Sequence, residues 1–435
     1  MVIMKQRRSG RLVIPKKSKI AFVCSGGAAK AGAFHIGVAL ALREKGFRFI
    51  GGLQDAEHYS AINSQSRRSS SIKMANQKGR DISIYVGSSA GSLICSFLAA
   101  GYSLDQIFDS FLREAKSKQS SGEKPLKPLT YYEMFSFKRE SGLLSTLAQI
   151  SSEASPFKLT RFVQDLTRES YETMFKMKWL KLSGFFSTAG IERYMREDVL
   201  PSNNFSRYNA DLFIVATQLN HSRKVVFGKY DHSEDLDNKN CIYANDVCVS
   251  QAVAASTSLP PIFSPYPITS DRGKKTYYFD GEIRDTLSTH VAVDHGADLV
   301  FASYTHQPYH YVKRIGSLHH FGMPAILIQA LYLMIERKIH QYRQFHDRSQ
   351  AAYDAVSEFF TRHQLSEEMK QECLKMLEKK LHFKRNVDWV YIHPRTADYE
   401  MFFGDHFNLN SNKLKELVRI GFRSAIHVLR KYEFE

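Results

Sequence analysis

The segment Gly87-Ser88-Ser89-Ala90-Gly91 constrains this chain more than any other. The apolar-rich run Ile82-Ser83-Ile84-Tyr85-Val86 leads into it, and Ser92-Leu93-Ile94-Cys95-Ser96-Phe97-Leu98 follows and reads as a helix. A strand, a tight turn flanked by Gly87 and Gly91, and a helix make a nucleophile elbow. The central serine of such an elbow sits in a strained bend with its hydroxyl exposed at the carboxyl end of the strand. Ser89 is therefore the candidate nucleophile, and the geometry requires a strand with a helix packed on it.

The rest of the chain supplies that setting. Lys19 to Cys24 is a short apolar run ending in Ser25-Gly26-Gly27, the profile of a buried parallel strand entering a glycine-rich turn. A helix reads from Gly32 to Lys45, so the loop before it presents backbone N–H groups to a phosphate or an oxyanion. Further strands are predicted at Leu212–Thr217, Lys224–Phe227, Lys275–Asp280, Asp298–Ser303 and Val387–Ile392. Helices are predicted over Ile191–Val199, Val247–Ala255 and Lys413–Leu429, with a helical segment over Pro324–Phe383 and a mostly helical insertion over 104–181. Within the last of these, Lys116 to Lys124 reads as a polar linker. Residues 51–81 are polar and aperiodic and read as a surface insertion, and residues 1–18 as a basic arm. Strands interleaved with helices over 19–432 predict one α/β domain with a mainly parallel sheet.

Composition limits the partners. The net charge of +16 suits an anionic partner, whether a phospholipid surface, a nucleic acid or an acidic protein, but it also serves solubility. No nucleic-acid motif accompanies it, so none is expected as partner. The five cysteines are scattered outside any C-x-x-C pair, which argues for free thiols in a reducing compartment and against a metal or disulfide framework. The longest apolar-rich stretch, Met323 to Ile335, is short of the ~20 residues that span a bilayer. The amino terminus lacks the apolar core and small-residue cleavage site of a Sec signal. These features predict a protein in the cytoplasm or peripheral at a membrane, with export lacking a cleaved signal left open.

A serine hydroxyl needs a base within hydrogen-bond reach and donors for the oxyanion that forms on the attacked carbonyl. The base can be an acid such as Asp280 or a histidine. His290 and His295 follow Asp280 in the order that a Ser-Asp-His triad requires. His295, however, stands where a helix ends before a strand, a favourable place for a structural imidazole. His35 reads as packing between the loop and its helix.

Five blocks in order resemble the patatin-like phospholipase family. They are Ser25 to Val38 with Gly26, Gly27, Lys30 and Gly32; Gly87 to Gly91; Ala216-Thr217-Gln218-Leu219-Asn220 with Val225-Val226-Phe227; Ala254 to Pro260; and Asp280-Gly281-Glu282. The resemblance implies a three-layer α/β/α sandwich and a Ser–Asp dyad that hydrolyses fatty-acyl esters of lipids with no metal or cofactor. Carried onto this chain, Ser89 forms the acyl-enzyme, Asp280 is the general base, and the loop at Gly26, Gly27 and Ala28 donates to the oxyanion. A phospholipid or other acyl-ester lipid is the implied substrate, and an anionic membrane surface a partner. Three positions depart from the family pattern. Ala28 replaces a glycine, Ala31 separates Lys30 from Gly32, and Glu282 stands where Gly or Ala is usual. Glu282 is expected to face solvent, since acids are seldom buried unpaired.

Two other functions compete with this reading, a Ser-His-Asp esterase or acyltransferase and a non-catalytic membrane-associated scaffold. The stripe from Met323 through Ile328, Tyr332, Ile335, Ile339 and Tyr342 is read as a core helix; the alternative is a membrane-interface helix with Arg337, Lys338 and Arg343 at the headgroups.

Overall fold

The computed structural model describes residues 7–8, 10–54, 79–112, 125–137, 184, 186–230, 241–270, 272–381 and 384–435. Most of the 51–81 insertion, the Lys116–Lys124 linker and most of the 104–181 stretch lie outside the described residues.

Ten strands form the central sheet: β1 (Ile20–Cys24), β2 (Arg48–Phe49), β3 (Asp81–Ser88), β4 (Asp211–Gln218), β5 (Arg223–Phe227), β6 (Cys241–Ala244), β7 (Tyr266–Thr269), β8 (Lys275–Asp280), β9 (Leu299–Ser303) and β10 (Asp388–Ile392). Their order is β6-β5-β4-β3-β1-β9-β10, with β2 beside β3 and β8 beside β4 and β7. The run β4-β3-β1-β9-β10 is parallel throughout, while β4 meets β5 and β8 antiparallel.

The central strands are apolar on both faces because helices cover both. In β1, Ile20, Phe22 and Cys24 enter one core while Ala21 and Val23 enter the other; in β4, Leu212, Ile214 and Ala216 alternate in the same way with Phe213 and Val215. The first core holds α1 (Ala28–Glu44), α2 (Ala90–Ala100), α3 (Val249–Ser256) and α7 (Ser411–Leu429). The second holds α4 (Thr289–Asp294) and the inner side of α5 (Gly322–Arg362). The fold is thus a mixed α/β one in which a mainly parallel sheet is packed by helices on both sides.

Several boundaries differ from the sequence pattern. α1 begins at Ala28, four residues before Gly32, because Gly27 at φ 128° and Ala28 at φ 57° turn the chain directly into the helix. The 324–383 segment is two helices, α5 and α6 (Glu367–Leu381), and Met195–Val199 is a π-helical turn. The basic arm is tied down: Arg11–Ile14 pairs with Tyr432–Phe434, Ile14 is buried, and Lys17 forms a 2.8 Å ion pair with Asp388.

α7 crosses α1 backbone to backbone. A Cβ added at Gly37 would lie 2.0 Å from Val418 O, and one at Gly421 would lie 2.2 Å from Phe34 O. This contact braces the helix that carries the glycine loop. Gly37→Ala is therefore expected to lower stability by about 1–3 kcal/mol through overpacking, although alanine favours an isolated helix by ~1 kcal/mol. Denaturant unfolding checks this, and an unchanged or raised midpoint would contradict it.

Candidate active site

β3 ends in the elbow. Ser89 lies between β3 and α2 at φ 51° and ψ −125°, a region that L residues seldom occupy. Gly91 lets the turn close, since a Cβ there would come within 2.2 Å of Cys24 O. The strained backbone is held by hydrogen bonds. Ser89 N–H donates to Ser256 Oγ at 2.8 Å, and Ser256 in turn donates to Val215 O at 2.6 Å. Ser92 Oγ donates to Ser89 O at 2.6 Å.

Asp280 reaches the elbow through sheet register. Ser88 on β3 is paired with Val215 on β4, and Asp280 at the end of β8 is paired with Ala216, the next residue of β4. β8 thus continues the edge of β4 where β3 turns away. The Ser89 hydroxyl lies close to the Asp280 carboxylate, whose Oδ1 accepts from Glu282 N at 2.9 Å. Asp280 is 1% exposed, and burial pushes its carboxyl up to about 6 against the opposing effect of these two donors.

Glu282 corrects the expectation that it faces solvent. The chain makes a 3₁₀ turn at Gly281–Ile283 in place of continuing the strand, and the turn folds the Glu282 side chain inward, leaving it 8% exposed. Its Oε1 accepts the Gly26 N–H at 2.9 Å. Ser88 Oγ and Glu282 Oε2 are both buried, and although the hydroxyl lies close to the carboxyl, neither atom reaches hydrogen-bond geometry. Burial, and next the Asp280 charge, push Glu282 up to about 8.

This contact also revises the glycine loop. Gly26 was grouped with Gly27 and Ala28 as an oxyanion donor, but its N–H is already engaged by Glu282. The donors at the start of α1 remain, where the first turn of a helix has no intrahelical acceptor for its N–H groups. Ala28 and Ala29 line the same mostly apolar cavity as Ser89, together with Leu93, Phe263 and Phe407.

Lys30 points away from this cavity. Its Nζ is buried and donates to Met401 O at 2.7 Å and Tyr332 OH at 3.1 Å, and burial pulls it down to about 7. Gly32 lines the cavity. Gly281 packs tightly, with no room for a Cβ against Val215 O at 2.4 Å. His35 is a structural residue. Its Nε2–H donates to Ser25 O at 2.9 Å, so its Nδ1 accepts from Ser303 Oγ at 2.7 Å.

His290 belongs to a different cluster with Lys224 and Asp285, and both burial and the Lys224 charge lower its pKa. His295 is set among the rings of Phe213, Tyr230 and Tyr243, with Nδ1–H donating to Val291 O at 2.7 Å. Sequence reasoning missed Thr305 and His306 beyond the end of β9. Thr305 Oγ1 donates to Gly26 O at 3.1 Å, and the buried His306 ring lies beside Gly27. Their position at the carboxyl edge of a parallel sheet was the available signal. Among the described residues, no group of three His, Cys, Asp or Glu is arranged to hold a metal ion.

The serine elbow and the buried carboxylate thus lie together beside an apolar cavity. A model of the patatin-like phospholipase family matches residues 22–293, more than half of the chain, and the chain belongs to that family. Membership makes it a hydrolase and implies lipid acyl hydrolysis. A comparison with curated proteins finds no match. Met401, Tyr332, Thr305 and His306, which surround the glycine loop and Lys30, all lie beyond the matched span.

The Ser256 relay gives a direct test of how the elbow is held. Ser256→Ala leaves the Ser89 N–H without its acceptor and is expected to cost about 1–3 kcal/mol of stability. Chemical denaturation measures this, and wild-type stability would show that the bend needs no such support.

Proposed function

We propose that the protein cleaves fatty-acyl esters of phospholipids, as a phospholipase A or lysophospholipase, through an acyl intermediate on Ser89. The observation that carries this reading is the approach of the Ser89 hydroxyl to the buried Asp280 carboxylate beside an apolar cavity. Asp280 takes the hydroxyl proton as Ser89 attacks the ester carbonyl, then returns it to the leaving alcohol. In the second half it takes a proton from water, which attacks the acyl-serine and releases the fatty acid. The N–H groups of Gly27 and Ala28, at the positive end of α1, stabilise the oxyanion. A carboxyl raised to about 6 is a stronger base than an ordinary Asp near ~3.9 and is still ionised at neutral pH.

Fatty-acid release from phosphatidylcholine vesicles tests the dyad. Ser89→Ala and Asp280→Asn are each expected to lose at least ~10³-fold in kcat, while His290→Ala stays near wild type. Because Asp280 must be ionised to act, wild-type kcat should fall as pH drops through about 6. An active Asp280→Asn alongside a dead His290→Ala would replace the dyad with a triad.

The surface near the site supports a membrane partner. The stripe on α5 has two sides. Tyr332, Ile335 and Ile339 are buried, whereas Met323, Ile326, Leu327, Leu331 and Met334 are exposed, so the core-helix expectation holds for the inner side only. Arg337 and Arg348 continue the exposed face, and Lys313 and Arg314 lie in the loop before the helix. Arg343 does not join them, since its guanidinium lies 4.9 Å from the Tyr391 ring centre. α5 also runs beside the segment after the dyad acid, with Tyr342 OH donating to Asp285 at 3.0 Å. An exposed apolar face flanked by cations on a +16 chain suits an anionic phospholipid bilayer. No described helix is long and apolar enough to cross a membrane.

Leu327→Asp combined with Leu331→Asp is expected to abolish co-sedimentation with phosphatidylcholine–phosphatidylserine vesicles while sparing hydrolysis of a soluble short-chain ester. Undiminished vesicle binding would rule out this face as the docking surface.

A further inference from the structure

Glu282 is the side chain at this site that the dyad mechanism leaves without a task. It is not among the residues that line the cavity. A Cβ added at Gly26 would lie 2.7 Å from Glu282 Cγ and 2.8 Å from Ser89 Cβ, so this residue is wedged between the two side chains. Gly26 is held from three directions. Its N–H donates to Glu282 Oε1 at 2.9 Å, its carbonyl accepts from Thr305 Oγ1 at 3.1 Å, and the preceding Ser25 O accepts from His35. Of these supports, only Glu282 comes from the segment that carries Asp280.

We propose that Glu282 is a positioning residue for the hydrolysis, clamping Gly26 so that the next N–H groups, those of Gly27 and Ala28, are aimed at the oxyanion above Ser89. The proposal rests on the Ser89–Asp280 reading and adds a rigid link between the base and the oxyanion loop. Asp280 is tied to Glu282 through the Glu282 N–H, and Glu282 is tied to the loop through its carboxyl. Base and oxyanion donors are thereby fixed in one frame. Such support matters because Gly27 and Ala28 both hold positive φ angles, and the Ala28 conformation is one that an L residue adopts at a cost of about 1–2 kcal/mol.

The Gly26 N–H favours the ionised carboxyl, but a charge on Glu282 would lie beside the oxyanion. The charged groups that act on Glu282 are Asp280 on its own segment and Asp285 at the following turn, and both are acids. From the loop it meets the Gly26 N–H, and from β3 the Ser88 hydroxyl. Protonated at neutral pH, the carboxyl can still accept the Gly26 N–H without adding a second negative charge beside the oxyanion. As pH rises through about 8 the proton is lost and that charge appears. Activity then falls.

Glu282→Ala and Glu282→Gln, assayed in the full chain for fatty-acid release from phosphatidylcholine vesicles, test the clamp. Alanine is expected to lower kcat roughly 10²-fold with little change in KM, because the loop donors lose their aim. Glutamine, which keeps an oxygen acceptor for Gly26 and carries no charge, should restore most of that loss and remove the fall in activity above pH 8. Wild-type or faster kcat in Glu282→Ala would overturn the proposal, since Gly26 N–H would then serve better when freed. Persistence of the alkaline fall in Glu282→Gln would overturn it as well, and this arm remains decisive if the alanine variant does not fold. Wild-type protein that releases no fatty acid, or Ser89→Ala that still does, would instead defeat the underlying dyad reading.

Discussion

The edge of β4 is the element on which the site depends. Up to Val215 that edge is hydrogen-bonded to β3, and from Ala216 onward it is hydrogen-bonded to β8, which runs the other way. One strand leaves the sheet as the other arrives. β3 leaves by turning into the elbow, which places Ser89 at the vacated position, and β8 delivers Asp280 one residue along. The meeting of two residues 191 positions apart in sequence thus follows from two adjacent register pairs. Any slip of β8 by one residue would send the carboxylate to the opposite face of the sheet.

The elbow and the base were legible in the sequence for different reasons. Gly87 and Gly91 carry their message locally, because a strand that turns at once into a helix needs small residues at the contact points. Asp280 was marked by a strand ending in Asp-Gly and by resemblance, since register itself leaves no local trace. Glu282 was misread because an unpaired acid is expected to stay in water, whereas here the Gly26 N–H gives it a buried partner. The 3₁₀ turn at Gly281–Ile283, not the pleat, sets its direction. The start of α1 was placed at Gly32 because two glycines and two alanines look like loop, whereas the left-handed turn at Gly27 and Ala28 completes the change of direction within two residues. Thr305 and His306 were marked only by their place just past the carboxyl end of β9, and Tyr332 by nothing local, since long-range packing brings it to Lys30.

The segments beyond the family match are built into the site and do not simply follow it. Lys30, in the first turn of α1, reaches over to Tyr332 on α5 and to Met401. A lysine with its ammonium group buried needs such partners, and its pKa is lowered because burial outweighs the distant Asp405 charge. Its anchorage makes the glycine loop sensitive to the position of α5, which also bears the exposed apolar face.

Two carboxyls two residues apart, both buried, are made unequal by their hydrogen bonds. Asp280 has the Ser89 hydroxyl close by and the Glu282 N–H bonded to Oδ1, both of which favour its charged form and limit the rise caused by burial. Glu282 has the Gly26 N–H on one oxygen and no partner on the other, and it sits in the field of an acid that ionises first. The same burial therefore leaves one group as a base near neutrality and keeps the other protonated. The separation also has a direction. In the proposed mechanism a proton on Asp280 would disable the attack on the ester, whereas one on Glu282 would leave the loop clamped without opposing the oxyanion, so the two groups titrate in the order which that mechanism requires.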